Sequence, residues 1–142
     1  RLRIERLPGG RIMINDSYNA NPRSVQADVK ILSQHRGGKR IAMLGDMTEL
    51  GAAEAPGHRA VGRAVGEAGI EVLLAVGPRS REYMAPAARE GGCPDVRWYP
   101  DREAVKEDLT ALFAPGDGLL LKASHFFGRF DLMADYLRDY PF

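Results

Sequence analysis

One cysteine, one tryptophan and three asparagines are all that 142 residues hold of those types, and each scarcity removes something. Cys93 alone cannot close a disulfide within the chain, and no Cys or His pair has zinc-ligand spacing. Nothing beside it in the Gly91-Gly92-Cys93-Pro94 turn would lower its thiol pKa, so it reads as a buried or idle thiol. An excess of one charge is also missing. The 20 Lys and Arg against 19 Asp and Glu leave +1, and no basic stripe carries interleaved aromatics, so no nucleic-acid partner is expected. The chain has no signal peptide and no apolar run near the length of a membrane span, which predicts a cytoplasmic protein. It also lacks G-x-x-x-x-G-K-[ST], because Gly38-Lys39 is followed by Arg40; it cannot cradle nucleotide phosphates as a P-loop does. Neither a G-x-G-x-x-G after a strand nor a nucleophile elbow occurs. Binding loops without a catalytic engine remain.

The three asparagines, Asn15, Asn19 and Asn21, all lie in or beside Asp16-Ser17-Tyr18-Asn19-Ala20-Asn21-Pro22. Upstream, Arg11 to Ile14 reads as a strand; downstream, Val25, Val29 and Leu32 recur at helical spacing. The polar cluster is therefore a strand-to-helix turn. Asn21 suits the N-cap and Pro22 the first helical position, where its missing N–H costs nothing. Capping leaves Asp16, Tyr18 and Asn19 unexplained, which points to a ligand-binding loop.

Along the rest of the chain, Leu2 to Leu7 alternates with period two and turns at Pro8-Gly9-Gly10 into the next strand, as a hairpin does. Strands are expected at 40–44, 72–76, 96–99 and 118–121, and helices at 22–35, 54–68, 79–90, 102–113 and 128–137. The short apolar runs suit strands covered on both faces. At this length the pattern predicts one domain over residues 1–142, burying roughly two-thirds of its unfolded surface. Its fold class is α/β: a Rossmann-like, doubly wound, mostly parallel six-stranded sheet with one antiparallel N-terminal strand and helices on both faces. Parallel strands deliver their C-terminal ends to one edge. The loops leaving them, at 15–21, 45–51, 77–80, 100–101 and 122–125, carry most of the polar chemistry and should share a crevice. The start at Arg1-Leu2-Arg3, without methionine, suggests a piece of something longer.

Four strings, Asp16 to Pro22, Leu44-Gly-Asp-Met-Thr-Glu-Leu-Gly51, His58 with Val61-Gly62, and Leu121-Lys122-Ala123-Ser124, resemble the C-terminal domain of the Mur ligase family. The resemblance covers essentially the whole chain and is nearest to the branch that adds D-alanyl-D-alanine to UDP-N-acetylmuramoyl-tripeptide. It implies partner domains, an N-terminal one for the UDP-linked peptide and a central one for ATP, whose P-loop explains the absence here. The implied reaction is ATP-dependent: the tripeptide carboxylate is phosphorylated to an acyl phosphate, and the dipeptide amine displaces phosphate. Mg²⁺ would screen the phosphates through ligands outside this chain. Catalysis would come mainly from positioning after domain closure.

The resemblance also implies roles. Arg1 matches an arginine that reaches the ATP γ-phosphate. Asp16 matches an acid near the ribose hydroxyls, and Asn19 and Asn21 match amides on the nucleotide side, with capping as the competing role. Lys122 and Ser124 match a Lys-Gly-Ser segment holding the dipeptide; an exposed strand-end lysine is the alternative for Lys122. Asp46 and Glu49 either orient the dipeptide ammonium or hold the loop. His58 shares a helical face with Val61 and Val65 and reads as a core-edge histidine. The chain departs from the family at Asn15-Asp16, where two acids are usual, and at Lys122 to Gly128, where Lys-Gly-Ser-Arg is usual. There His125 replaces the arginine on the substrate wall, and Phe126 and Phe127 either pack onto a neighbouring domain or complete the core. Two other readings stand beside this one: a related amide ligase such as folylpolyglutamate synthetase, and a non-catalytic Rossmann-like binding module.

Overall fold

The computed structural model describes residues 2–142. Within them the chain runs β1 (Arg3–Leu7), β2 (Arg11–Asn15), α1 (Pro22–Ser33), β3 (Arg40–Gly45), α2 (Glu54–Glu67), β4 (Val72–Val76) and α3 (Ala85–Glu90). It continues through β5 (Asp95–Tyr99), α4 (Arg102–Leu112), β6 (Gly118–Lys122), α5 (His125–Gly128) and α6 (Phe130–Asp139). The strands form one sheet in the order β1-β2-β6-β3-β4-β5. Only the β1–β2 hairpin is antiparallel. This is the doubly wound α/β sheet that the alternating pattern predicts.

The pleat sends successive side chains to opposite faces, and in β3, β4 and β6 both faces are buried. Met13, Ile41, Met43, Leu74 and Leu119 meet α4 and α6 through Val105, Leu109, Phe130 and Met133. Ile14, Ala42, Leu44, Leu73 and Leu120 meet α1, α2 and α3 through Val29, Leu32, Val61, Val65 and Met84. Both cores are assembled from residues of this chain. The feature that positions the site is the path of β6. After α4 crosses the sheet from β5, the chain returns and inserts β6 between β2 and β3. The exit of β6 is thereby flanked by the exits of the two strands that precede the polar motifs.

Two elements differ from the periodicity. The helix expected over 79–90 begins as a π-helical turn, Ser80–Met84, before α3. The helix expected over 128–137 is broken: α5 makes one turn, Arg129 adopts a left-handed conformation (φ 46°), and α6 restarts at Phe130. Phe130 is fully buried, whereas Arg129 is exposed and pairs with Asp131. Burying the ring rather than continuing the helix decides the break.

α2 and α3 approach so closely that a Cβ on Gly62 would lie 2.2 Å from the Met84 carbonyl oxygen. Separating them would open the core beneath Val61 and Met84. Gly62→Ala is expected to lower the unfolding free energy by about 2 kcal/mol or more. Urea denaturation checks this; an unchanged midpoint would mean that the helix pair can part at little cost.

Candidate functional site

The site is built where β2, β6 and β3 end. Asn21 accepts the Ser24 backbone N–H at 2.9 Å, and Ser24 Oγ accepts the Asn21 N–H at 3.2 Å, forming a capping box that fixes the start of α1. Asn21 therefore has the capping role. Asn19 Oδ1 accepts from Ala20 N–H at 2.9 Å, which tightens the turn and leaves Tyr18 projecting, 68% exposed.

The loop after β3 is held from three sides. Asp46 is fully buried. Its Oδ1 accepts from the Ser80 N–H (2.7 Å) and hydroxyl (2.8 Å), and its Oδ2 accepts from the Arg79 N–H (3.0 Å). Of the two roles open to Asp46, this geometry is the loop-holding one: it joins the exits of β3 and β4. Gly77 makes room, since a Cβ there would lie 2.6 Å from the Asp46 carboxyl carbon and 2.5 Å from the ring of Phe127. His58 is buried on α2; Nε2 accepts from Met47 N–H at 3.0 Å, and Nδ1 donates to the Glu54 carbonyl at 2.7 Å. It is a satisfied histidine that pins the loop. Finally, Thr48 N–H donates to Ser124 Oγ at 3.0 Å, stitching this loop to the exit of β6.

Three walls result. Tyr18 and Asn19 form one, Thr48 and Glu49 the second, and Ser124, His125 and Phe126 the third, around a crevice of about 300 Å³. The His125 ring lies 5.3 Å from Tyr18 and 5.1 Å from Phe126. Its Nδ1 is buried with no hydrogen-bond partner among the described residues. Glu49 is exposed, adopts the left-handed region (φ 62°) and has no side-chain hydrogen bond or ion pair among the described residues. A side chain in that conformation costs about 1 kcal/mol, as occurs where a site imposes it. The phenylalanine pair is split: Phe127 packs inward against Gly77, while Phe126 is 94% exposed.

Lys122 lies beneath the crevice, not on its surface. It is 2% exposed, and its ammonium sits 2.7 Å from Asp16 Oδ2 and 3.1 Å from Asp28 Oδ2. Lys122 is thus not the exposed strand-end lysine of the alternative reading; its positive charge is matched within the fold. Burial, and then its hydrogen bond to Asp16, pushes the Asp28 carboxyl up to about 6. Burial would raise Asp16 too, but hydrogen bonds from Asp28 and Lys122 outweigh it and hold Asp16 below the usual carboxylate range. Asp28 escaped the motif reading. Its signal was present: it sits three residues after Val25, on the apolar face of α1 with Val29 and Leu32, where an acid needs a partner. Arg1 lies outside the described residues. Cys93 is buried, its thiol pushed up by burial, in keeping with an inert role. Among the described residues no helix is long and apolar enough to cross a membrane.

A doubly wound sheet whose strand ends hold a small polar crevice defines a Rossmann-like α/β domain. The chain belongs to the Mur ligase family: the model for "Mur ligase, glutamate ligase domain" matches residues 2–125. It is 29% identical over 125 residues to the UDP-N-acetylmuramoyl-tripeptide--D-alanyl-D-alanine ligase of Bacillus subtilis, covering 87% of this chain and 27% of that protein. The Synechocystis ligase of the same name is 30% identical over 132 residues, 92% of this chain and 28% of its own length. MurF from Acinetobacter baumannii superposes with a TM-score of 0.78 at 29% identity, over 96% of this chain and 29% of that one. MurF from Thermotoga maritima, solved in complex with ADP, shares the fold at a TM-score of 0.70 and 24% identity, over 87% of this chain and 27% of that one. The chain thus spans less than a third of the length of these relatives.

Asp46→Asn would turn an amide N–H₂ toward donors that now meet a carboxylate oxygen. A loss of about 2 to 4 kcal/mol in unfolding free energy is expected. Chemical denaturation measures it; a loss under half a kcal/mol would show that the loop is held by its other bonds.

Proposed function

We propose that this chain is the C-terminal domain of a peptidoglycan-precursor ligase that joins D-alanyl-D-alanine to UDP-N-acetylmuramoyl-tripeptide. ATP is converted to ADP and phosphate. The observation that carries the reading is the crevice: an unpaired Glu49 carboxylate, Thr48 and Ser124, and the unpartnered His125 Nδ1, in a space suited to a small zwitterion. The relatives named for this reaction support it, as does the position of the crevice at the strand ends.

In this reading the tripeptide carboxylate oxygen attacks the γ-phosphorus of ATP, and ADP leaves. The dipeptide nitrogen, having lost a proton, then attacks the acyl carbon; the amide forms and phosphate departs. The contribution of this chain is to deliver and orient the amine, the kind of positioning that converts an encounter into an intramolecular step. Glu49 receives the dipeptide ammonium. Ser124 and His125 line the opposite wall. The family resemblance gives Asp16 and Asn19 the nucleotide side and Arg1 the γ-phosphate. Among the described residues no cluster of three or more His, Cys, Asp or Glu is arranged to hold a metal. Mg²⁺ would be held by ligands of the central domain, where it would screen the phosphates. The N-terminal and central domains would supply the UDP-peptide and ATP sites.

The test is a phosphate-release assay on the full-length enzyme. Release should require ATP, UDP-N-acetylmuramoyl-tripeptide and D-alanyl-D-alanine together, and this chain alone should release none. Turnover with glutamate in place of the dipeptide would assign the chain to a glutamate-adding ligase instead. In the same assay Glu49→Gln is expected to raise the dipeptide KM about ten- to a hundred-fold, the worth of one charge-assisted bond, with the ATP KM nearly unchanged. An unaltered dipeptide KM would remove Glu49 from the site.

A further inference from the structure

The Asp16–Lys122–Asp28 cluster spans three elements that meet below the crevice. Asp16 begins the loop carrying Tyr18 and Asn19, and Lys122 ends β6 immediately before Ala123, Ser124 and His125. Asp28 projects from the second turn of α1 and is 5% exposed. Its Oδ2 lies within ion-pair distance of the Lys122 ammonium but out of hydrogen-bond alignment with it. Among the described residues, two carboxylates around one buried ammonium leave an excess negative charge when both are ionised. One proton on the carboxyl pair restores neutrality.

We propose that Asp28 is a positioning residue for the crevice: it shares Lys122 and one proton with Asp16, and so sets the spacing between the Tyr18 wall and the Ser124–His125 wall. The proton bridges Asp28 to Asp16, and Lys122 is held between them, so α1, the β2 exit and the β6 exit move together. When the proton leaves, uncompensated charge beneath the loops loosens that junction. The proton goes to solvent and no bond between heavy atoms changes. The raised carboxyl of Asp28 agrees with this sharing. Lys122 from β6 and Asp16 from the β2 exit are the charged groups acting on Asp28 among the described residues. β3 and α2, also packed against α1, present apolar side chains such as Leu44 and Val61. Crevice geometry then follows pH across the upper acidic range through a group outside the crevice.

The significance for substrate binding rests on the proposed function; the geometric claim does not. The test uses this chain, with no ligand and no turnover, so its failure is distinguishable from failure of the ligase reading. Aspartate carboxyl carbons and the Thr48 amide are followed by NMR from pH 3 to pH 8. One carboxyl is expected to titrate well above the ordinary aspartate range and to vanish in Asp28→Asn. In Asp16→Asn the Asp28 midpoint should fall by about one unit or more, a tenfold change in proton affinity. The Thr48 amide should follow the Asp28 midpoint in the parent chain and lose that component in Asp28→Asn. Asp28→Asn, which keeps an oxygen toward Lys122, should hold the low-pH crevice signals, whereas Asp28→Ala should displace them. An Asp28 midpoint in the ordinary range, a Thr48 amide indifferent to it, or an Asp28→Ala spectrum matching the parent at the crevice would overturn the proposal.

Discussion

A lysine ammonium at the end of a central strand has to be neutralised where it lies, because desolvating an unpaired charge costs several kcal/mol. Lys122 meets this constraint by drawing in Asp16 from one neighbouring strand exit and Asp28 from the helix that follows it. The arrangement depends on topology. Only because β6 is inserted between β2 and β3 does its exit lie between the polar turn after β2, met by Lys122, and the loop after β3, met by Ser124. The same insertion lets Thr48 bond Ser124 across the β3–β6 boundary. Buried polar groups thus define the crevice from below, while the groups exposed in it remain available for ligand.

This division separates two kinds of residue that the motifs intermingle. Asp46, His58, Asn21 and Lys122 are engaged by partners within the fold. Tyr18, Glu49, His125 and Phe126 bring to the crevice exposed surface or hydrogen-bonding capacity unmet among the described residues. A motif records both kinds alike, since losing either ruins the site. Hydrogen-bond accounting tells them apart.

The sheet, its single antiparallel pair and the cap at Asn21 were legible in the sequence, because hydrophobic period and turn chemistry are local signals. The break at Arg129 was not, since it depends on where the Phe130 ring can be buried, which is a tertiary matter. The burial of Lys122 was hidden for the same reason. A lysine at a strand end reads as exposed until the acid on the neighbouring helix is placed beside it, and Asp28, lying in no motif, was visible only as an acid on an apolar helical face. The loops gathered at one sheet edge were legible as a group from parallel topology. The strand order that chooses which of them touch came from the structure alone.

The central claim is that the crevice between the exits of β2, β3 and β6 receives the incoming amino component. Hydrogen exchange on the full-length enzyme, with ATP and the UDP-linked tripeptide present and D-alanyl-D-alanine added last, tests it most directly. The account predicts that the dipeptide newly protects residues 46–50 and 122–128, with little change around Trp98 and Pro100 at the far side of the same sheet edge. Protection confined to that far groove, or none in either crevice segment, would contradict it.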